Sequence, residues 1–236
     1  MRDASFQKIV KGNRENGNRG AIEVELIGGE KIGVPREFGS GGREVGEKLA
    51  AKLGIKLYDK ELLQQAAKDS GFCEEIFENH DERPTNSFLY SLVMDTYSFG
   101  YSSSGFTDMP MNHKVFLAQF DAIKKLASEG PCVMVGRCAD YALAEYKDCF
   151  SVFVHADTDW RINRLSQKHN KTAKEAKDMI NKTDKSRSSY YNYYTNKKWG
   201  AASSYNLCVD SSKLGIDGAA KAIIQAIEIF DSIKNK

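Results

Sequence analysis

The chain has 236 residues, 41% of them hydrophobic and 28% charged, enough to bury a full core as one domain with room for a mobile sub-domain. Its 34 basic and 32 acidic residues leave a formal charge of +2, too slight an excess to serve as a footprint for a nucleic-acid duplex, though a local cluster of cations can still take a small anion. Lys8, Lys11, Arg14 and Arg19 are not followed by the apolar stretch of a signal peptide, and no apolar run approaches the ~20 residues that span a bilayer. The expectation is a soluble, cytoplasmic protein with neither nucleic acid nor membrane as partner.

Cys73, Cys132, Cys138, Cys149 and Cys208 are odd in number and without CxxC spacing, which predicts reduced thiols packed as small apolar side chains. His80, His113, His155 and His169 are scattered as well, so no structural metal is expected.

Residues 1–30 are polar and rich in Asn and Gly, and read as a loose extension. Within that region Ala21 to Leu26 alternates apolar and polar residues, and Gly28-Gly29 would turn the chain into a hairpin with Lys31 to Val34; alternatively Ile32 to Val34 is the first core strand. Val45, Leu49, Ala50 and Leu53 then share a helical face ending at Gly54. A short strand over Ile55 to Tyr58 precedes Asp59, a good N-cap for a helix from Lys60 towards Ser70. Gly71 to Met111 is irregular and aromatic-rich, and Asn112 is placed to cap a helix that stops at Gly130-Pro131. "CVMVG", "CFSVFVHA" and "LCVD" read as buried strands. Charged helices are expected over Asp157 to His169 and Thr172 to about Tyr194, and an amphipathic one over Ile216 to Ile233 with Ile223, Ile224, Ile227 and Phe230 inward. Short apolar strands alternating with helices predict an α/β domain with a mainly parallel sheet.

The most informative local feature is "REFGSGGREVGEKLA", where Gly39, Ser40, Gly41 and Gly42 lead into a helix beginning near Arg43. Glycines let the backbone approach a phosphate, free N–H groups at a helix start favour an anion, and Arg36 and Arg43 flank the turn. An ordinary glycine turn ahead of a helix would look similar, and the segment departs from GxxxxGK[ST], with Gly42 in the lysine's place.

Taken in order, "REFGSGGREVGEKLAAKLGIKLYDKELL", "GRCADY", "VFVHADTDWRINRL", "DKSRSSYYNYYTNKKWG" and "LCVDSSKLGID" resemble the cytidylate-kinase-like family, relatives of cytidylate kinase with a degenerate P-loop. The resemblance runs from about Arg36 to the C-terminus. It implies a P-loop kinase fold with a five-stranded parallel sheet in three layers, an NMP-binding insertion over about 71–111 and a helical lid over about 157–198, within one domain at 31–236.

Further residues gain roles from the resemblance. Arg137, directly after a strand, matches the Gly-Arg-Asp arginine that grips the acceptor's phosphate, with Cys138 replacing the aspartate and Asp140 two residues on; the plainer reading of Arg137 is a cap on the strand–helix junction. Arg161, Arg164 and Lys168 share one helical face, and Asp184, Arg187 and Tyr191 another. Such faces are commonly solvated, and tyrosines such as Tyr190, Tyr191, Tyr193 and Tyr194 commonly packed; in the family the lid arginines close over the transferring phosphoryl group, and Asp184 with Arg187 matches its Asp-x-x-Arg element. Asp59 matches the first residue of an Asp-Ser-Gly element whose other two are Lys60 and Glu61 here, although N-capping is its simpler role. Glu44 stands where a threonine lies near the metal, and would either ligate Mg²⁺ or repel ATP.

The expected reaction is phosphoryl transfer from ATP, with Mg²⁺, to a nucleoside monophosphate, CMP or dCMP by default. Catalysis falls to Arg161, Arg164 and Arg187, donor phosphates to Arg36, Gly39, Ser40, Gly41, Gly42, Arg43 and Glu44, and the acceptor to Asp59, Arg137, Asp184 and Arg187. Two rival readings are a regulatory nucleotide-binding protein that has lost transfer, and a kinase for another small phosphorylated acceptor.

Overall fold

A computed structural model describes residues 30–72, 76, 78, 82 and 110–234. Most of the N-terminal extension, including Ala21 to Leu26, and nearly all of the 71–111 segment lie outside the described residues.

Five strands, β1 (Lys31–Val34), β2 (Lys56–Tyr58), β3 (Cys132–Val135), β4 (Cys149–His155) and β5 (Leu207–Asp210), form one sheet in the order β2-β3-β1-β4-β5. Every pairing is parallel, with Ile32 of β1 beside Val133 of β3 and Phe150 of β4. β1 is therefore the central strand, and the second of the two sequence readings of Ile32 to Val34 holds. All four residues of β1 are buried, as expected for a strand covered on both faces. Pro35 falls just past the ladder, where its missing N–H costs nothing, and its carbonyl still accepts from Val154 N at 3.0 Å.

Helices α1 (Gly42–Leu53) and α7 (Ser211–Lys234) cover one face, packing Val45, Leu49, Ile223 and Ile227 on Ile32, Val133 and Val152. Helices α2 (Lys60–Ser70), α3 (Met111–Ser128) and the short α4 (Ala139–Ala142) cover the other with Leu62, Val115, Ile123 and Leu143. Each such side chain, fully buried, contributes roughly 1.5–3 kcal/mol. The close approach of α4 explains Gly33 in mid-strand: a Cβ there would lie 3.0 Å from the backbone nitrogen of Asp140. α3 begins two residues earlier than the Asn112 cap predicts, with Pro110 in the cap position. The sheet, its order and its three layers make a P-loop kinase type fold. None of the described helices is long and apolar enough to cross a membrane.

Helices α5 (Thr158–His169) and α6 (Ala173–Thr195) pack on each other through Leu165, Ala176 and Ile180, with Phe38 of the glycine loop against them. The C-terminal half of α6 is anchored to the body by its tyrosines: Tyr190, Tyr191 and Tyr194 are buried among Phe116, Phe153 and Tyr205. Tyr194 stacks on Phe116 at 4.0 Å between ring centres. These aromatic rings pack; they form no exposed platform.

A capping box starts α6: Glu175 N donates to Thr172 Oγ1 at 3.3 Å and Thr172 N to Glu175 Oε2 at 2.8 Å. Thr172→Ala is expected to cost about 1 kcal/mol in urea denaturation, with the fold unchanged. A loss near zero would show that packing against α5 alone sets the start of α6.

Candidate active site

The chain leaves β1 still beside β4, since Glu37 N donates to Val154 O at 3.1 Å, and only then turns. Gly39 (φ 82°) and Gly41 (φ 77°) take the left-handed conformation, and α1 starts at Gly42 with no side-chain cap on its first N–H groups. A Cβ on Gly42 would come within 2.5 Å of the Arg36 Cβ, so the loop's last glycine is what lets Arg36 lie across the helix start. Ser40 is held on both sides, its hydroxyl donating to Glu37 O at 2.9 Å and its carbonyl accepting from Ser211 Oγ at 2.6 Å.

Arg36 does not reach outward. Its Nη1 donates to Glu82 Oε1 at 2.7 Å, Arg187 Nε donates to Glu82 Oε2 at 2.8 Å, and the backbone N–H of Arg137 reaches Oε1 at 3.2 Å. Arg36 comes from the glycine loop, Arg137 from the carboxyl end of β3 and Arg187 from α6, so three separate elements meet at one carboxylate. Arg137 is in the left-handed region (φ 54°), which aims its N–H at Glu82 while its buried guanidinium turns to Asp59 Oδ1 at 2.8 Å and Asp59 O at 2.9 Å. Arg187 also donates to Arg36 O at 3.4 Å and lies over the Phe38 ring.

Burial alone would raise the Glu82 carboxyl, but Arg36, Arg187 and Arg137 hold it far below the usual carboxylate range. Burial, with repulsion from Arg187 and Arg137, lowers the Arg36 pKa in turn. About 10 Å³ is left open among these groups and the neighbouring Tyr190, Tyr191 and Trp199.

A second acid faces the loop itself. Asp184 accepts from Phe38 N at 2.7 Å and from Arg161 Nη1 at 2.6 Å, while Arg161 also donates to Phe38 O at 3.3 Å and pairs with Glu37 at 3.5 Å. Glu44 is engaged by Arg164 at 2.6 Å and by Lys168 at 3.4 Å. Burial opposes the charge on Glu44, yet its own N–H at the helix start and these two cations lower its pKa. The cationic face of α5 is thus split: Arg161 meets Asp184, and Arg164 with Lys168 meets Glu44.

The structure brings Arg36, Arg137 and Arg187 together and joins Asp59 to them through Arg137. It does not bring Arg43, whose half-exposed side chain pairs with Glu47 and Asp59. Asp59 occupies the N-cap position of α2 but makes no capping bond, because its carboxylate is turned to Arg137; Glu61 accepts from the Asp59 N–H instead. Asp140 stands away from the arginines, buried against Tyr191, and does not replace the missing aspartate at Cys138. Sequence reasoning missed Glu82 and Glu37. Glu37 sits inside the glycine segment, where its charge was a signal; Glu82 lies in a polar stretch with no pattern to mark it.

The model of the cytidylate kinase-like family matches residues 31–213. The chain belongs to that family. A solved structure similar to this family member is an uncharacterized protein from Eubacterium ventriosum ATCC 27560, at 30% identity, with 84% of this chain and 98% of that chain covered and a TM-score of 0.63. Others are shikimate kinase from Bacteroides thetaiotaomicron (14% identity, 84% and 98% covered, TM-score 0.49) and Mycobacterium tuberculosis APS kinase CysC in complex with AMPPNP and APS (17%, 85% and 98%, 0.43). No curated protein matches the chain. Family and fold together support nucleotide-dependent phosphoryl transfer in general.

Neutralising Glu82 leaves clustered cations uncompensated, so Glu82→Gln is expected to destabilise the fold by about 3–5 kcal/mol in denaturant titration. The folded pKa of Glu82 lies below its ordinary 4.5, so its contribution is complete above that value and is lost as pH falls towards the folded one. The gap between parent and variant should therefore narrow on acidification below about pH 4.5. A gap that stays constant with pH would place the effect elsewhere.

Proposed function

We propose that this protein transfers the terminal phosphoryl group of ATP to a nucleoside monophosphate, with CMP or dCMP as acceptor. The observation that carries the proposal is the convergence of Arg36, Arg187 and the Arg137 N–H on the single anion Glu82, beside the glycine loop. A guanidinium binds carboxylate and phosphate by the same paired geometry, so groups that now hold Glu82 suit a phosphate in its place.

On this reading the first N–H groups of α1, with Gly39, Ser40, Gly41 and Gly42, receive the donor phosphates. Arg137 and Asp59 line the acceptor side, and Arg187 with Arg36 lies between the two. An oxygen of the acceptor's phosphate attacks the γ-phosphorus, the bond to the β-phosphate oxygen breaks, and ADP leaves; no general base is needed for an acceptor already ionised. Arg161, Arg164 and Arg187 come from the two lid helices and supply charge where it builds up on the moving group. Arg43, on the outer side of α1, is a weaker donor ligand than Arg36.

Magnesium carried on the nucleotide phosphates supplies charge neutralisation when bound. Glu44 is the acid nearest the start of α1 and is taken by Arg164, so its service to the metal requires Arg164 to let go.

The second reading is a nucleotide-binding regulator without turnover. Gly42 in the lysine's place and the Glu44–Arg164 ion pair favour it.

A coupled assay with ATP, Mg²⁺ and a panel of nucleoside monophosphates separates the two, with turnover expected and CMP or dCMP preferred. Arg137→Lys should raise the KM for the monophosphate and leave that for ATP nearly unchanged, because lysine keeps the charge but loses the guanidinium geometry that holds Asp59 on the acceptor side. Arg187→Ala should lower kcat on the order of 10³-fold. Absence of turnover with every monophosphate would leave the regulator, and an acceptor outside the cytidine series would redirect the substrate assignment.

A further inference from the structure

A cavity of about 290 Å³ lies at the opposite end of the sheet from the glycine loop, between α4, the first residues of β4 and the segment leading into β5. The proposed phosphotransfer makes no use of it. Its volume is at the lower limit for small-molecule pockets, room for one small metabolite and too little for a nucleotide.

Its walls are polar, and several of their hydrogen-bonding groups are unspent. Asp140 is 3% exposed, and although Tyr191 donates to its Oδ2 at 2.7 Å, its Oδ1 is buried with no hydrogen-bond partner. Burial pushes this carboxyl up; Tyr191, Lys197 and the nearby N–H groups of Asp140 and Tyr141 favour the charge, but neither N–H has bonding geometry to Oδ1. Lys197 lines the same cavity, close enough to act on the Asp140 charge, yet forms no ion pair with it or with any other described residue. Asn206 Oδ1 accepts from Ser151 N at 2.9 Å and from Ser151 Oγ at 2.8 Å, which fixes the amide orientation and leaves its NH₂ unbonded among the described residues. The Ser203 hydroxyl, also on the wall, is likewise unbonded.

The cavity therefore offers one buried anionic acceptor on one side of its chemistry, and an ammonium, an amide NH₂ and a hydroxyl as donors on the other. Opposite charges that share a cavity without meeting suit a ligand that carries both. We propose that this cavity is a binding site for a free α-amino acid, its ammonium on Asp140 and its carboxylate on Lys197, Asn206 and Ser203. The Asp140–Tyr191 hydrogen bond ties the site to α6, where Arg187 lies one turn before Tyr191. Occupancy is thus positioned to bear on the arginine cluster.

The test is direct binding to the full chain, independent of any turnover. Thermal shift and calorimetry are run with the standard L-amino acids, each against its methyl ester, which lacks the carboxylate, and its N-acetyl derivative, which lacks the ammonium. The proposal expects at least one free amino acid to bind and both of its derivatives to fail. Asp140→Asn and Lys197→Gln should each weaken that binding by about tenfold or more. Lys197 is half-buried, so its variant tests the site even if Asp140→Asn does not fold. No binding by any amino acid, or binding that persists in the Lys197 variant or in the ester, would overturn the assignment and leave a water-filled cavity.

Discussion

Three arginines from three parts of the chain cannot share a water-poor site without an anion among them. Repulsion between Arg36, Arg137 and Arg187 is strong enough, with burial, to lower the Arg36 pKa, and Glu82 relieves it by bonding to all three residues. The compensation is reciprocal, since the same cations keep a buried Glu82 ionised. Much else follows from it. The glycine loop ends in Gly42 so that Arg36 can cross it, Arg137 accepts a left-handed backbone to aim its N–H, and α6 must lie close enough for Arg187 to arrive.

The position of α6 rests on packing further along the helix. Tyr190, Tyr191 and Tyr194 fix its C-terminal half on α3 and the strands, and Leu165 with Ile180 fixes its N-terminal half on α5 and Phe38. Between those anchors Asp184 meets the Phe38 N–H and Arg187 meets Glu82. Asp184 and Arg161 are thus satisfied partly by the backbone of Phe38, and Arg187 by Glu82 and the Arg36 carbonyl. Glu82 and Asp184 are anions at cationic or N–H groups, the role a phosphate would take under the proposed function.

The fold was legible because its signals are local. Buried β-branched strands, glycine stops and capping residues predicted the strands and most of the helices, and the parallel sheet followed from their alternation. The centrality of β1 was not legible, since Ile32 to Val34 fits a hairpin as well as a core strand until its neighbours β3 and β4 are known. At the site, Arg137 and Arg187 were visible from strand ends and helix faces. Sequence favours Arg43, beside the vacant lysine position, over Arg36; the three-dimensional turn at Gly39 and Gly41 instead folds Arg36 inward and leaves Arg43 on Glu47. Glu82 had no sequence signal because its partners are 46, 55 and 105 residues away in the chain. Asp59 misled for a related reason: a carboxylate at a helix start reads as a cap unless a distant arginine is known to claim it.

Under the proposed function this arginine cluster is a phosphate site that Glu82 occupies in the free protein. A crystal structure of the chain with CMP bound tests it most directly. The CMP phosphate is expected on the guanidinium groups of Arg36 and Arg187 and on the Arg137 N–H, with the Glu82 carboxylate displaced from all three. CMP bound elsewhere, with Arg36 and Arg187 still on Glu82, would contradict it and make the cluster a structural ion-pair network.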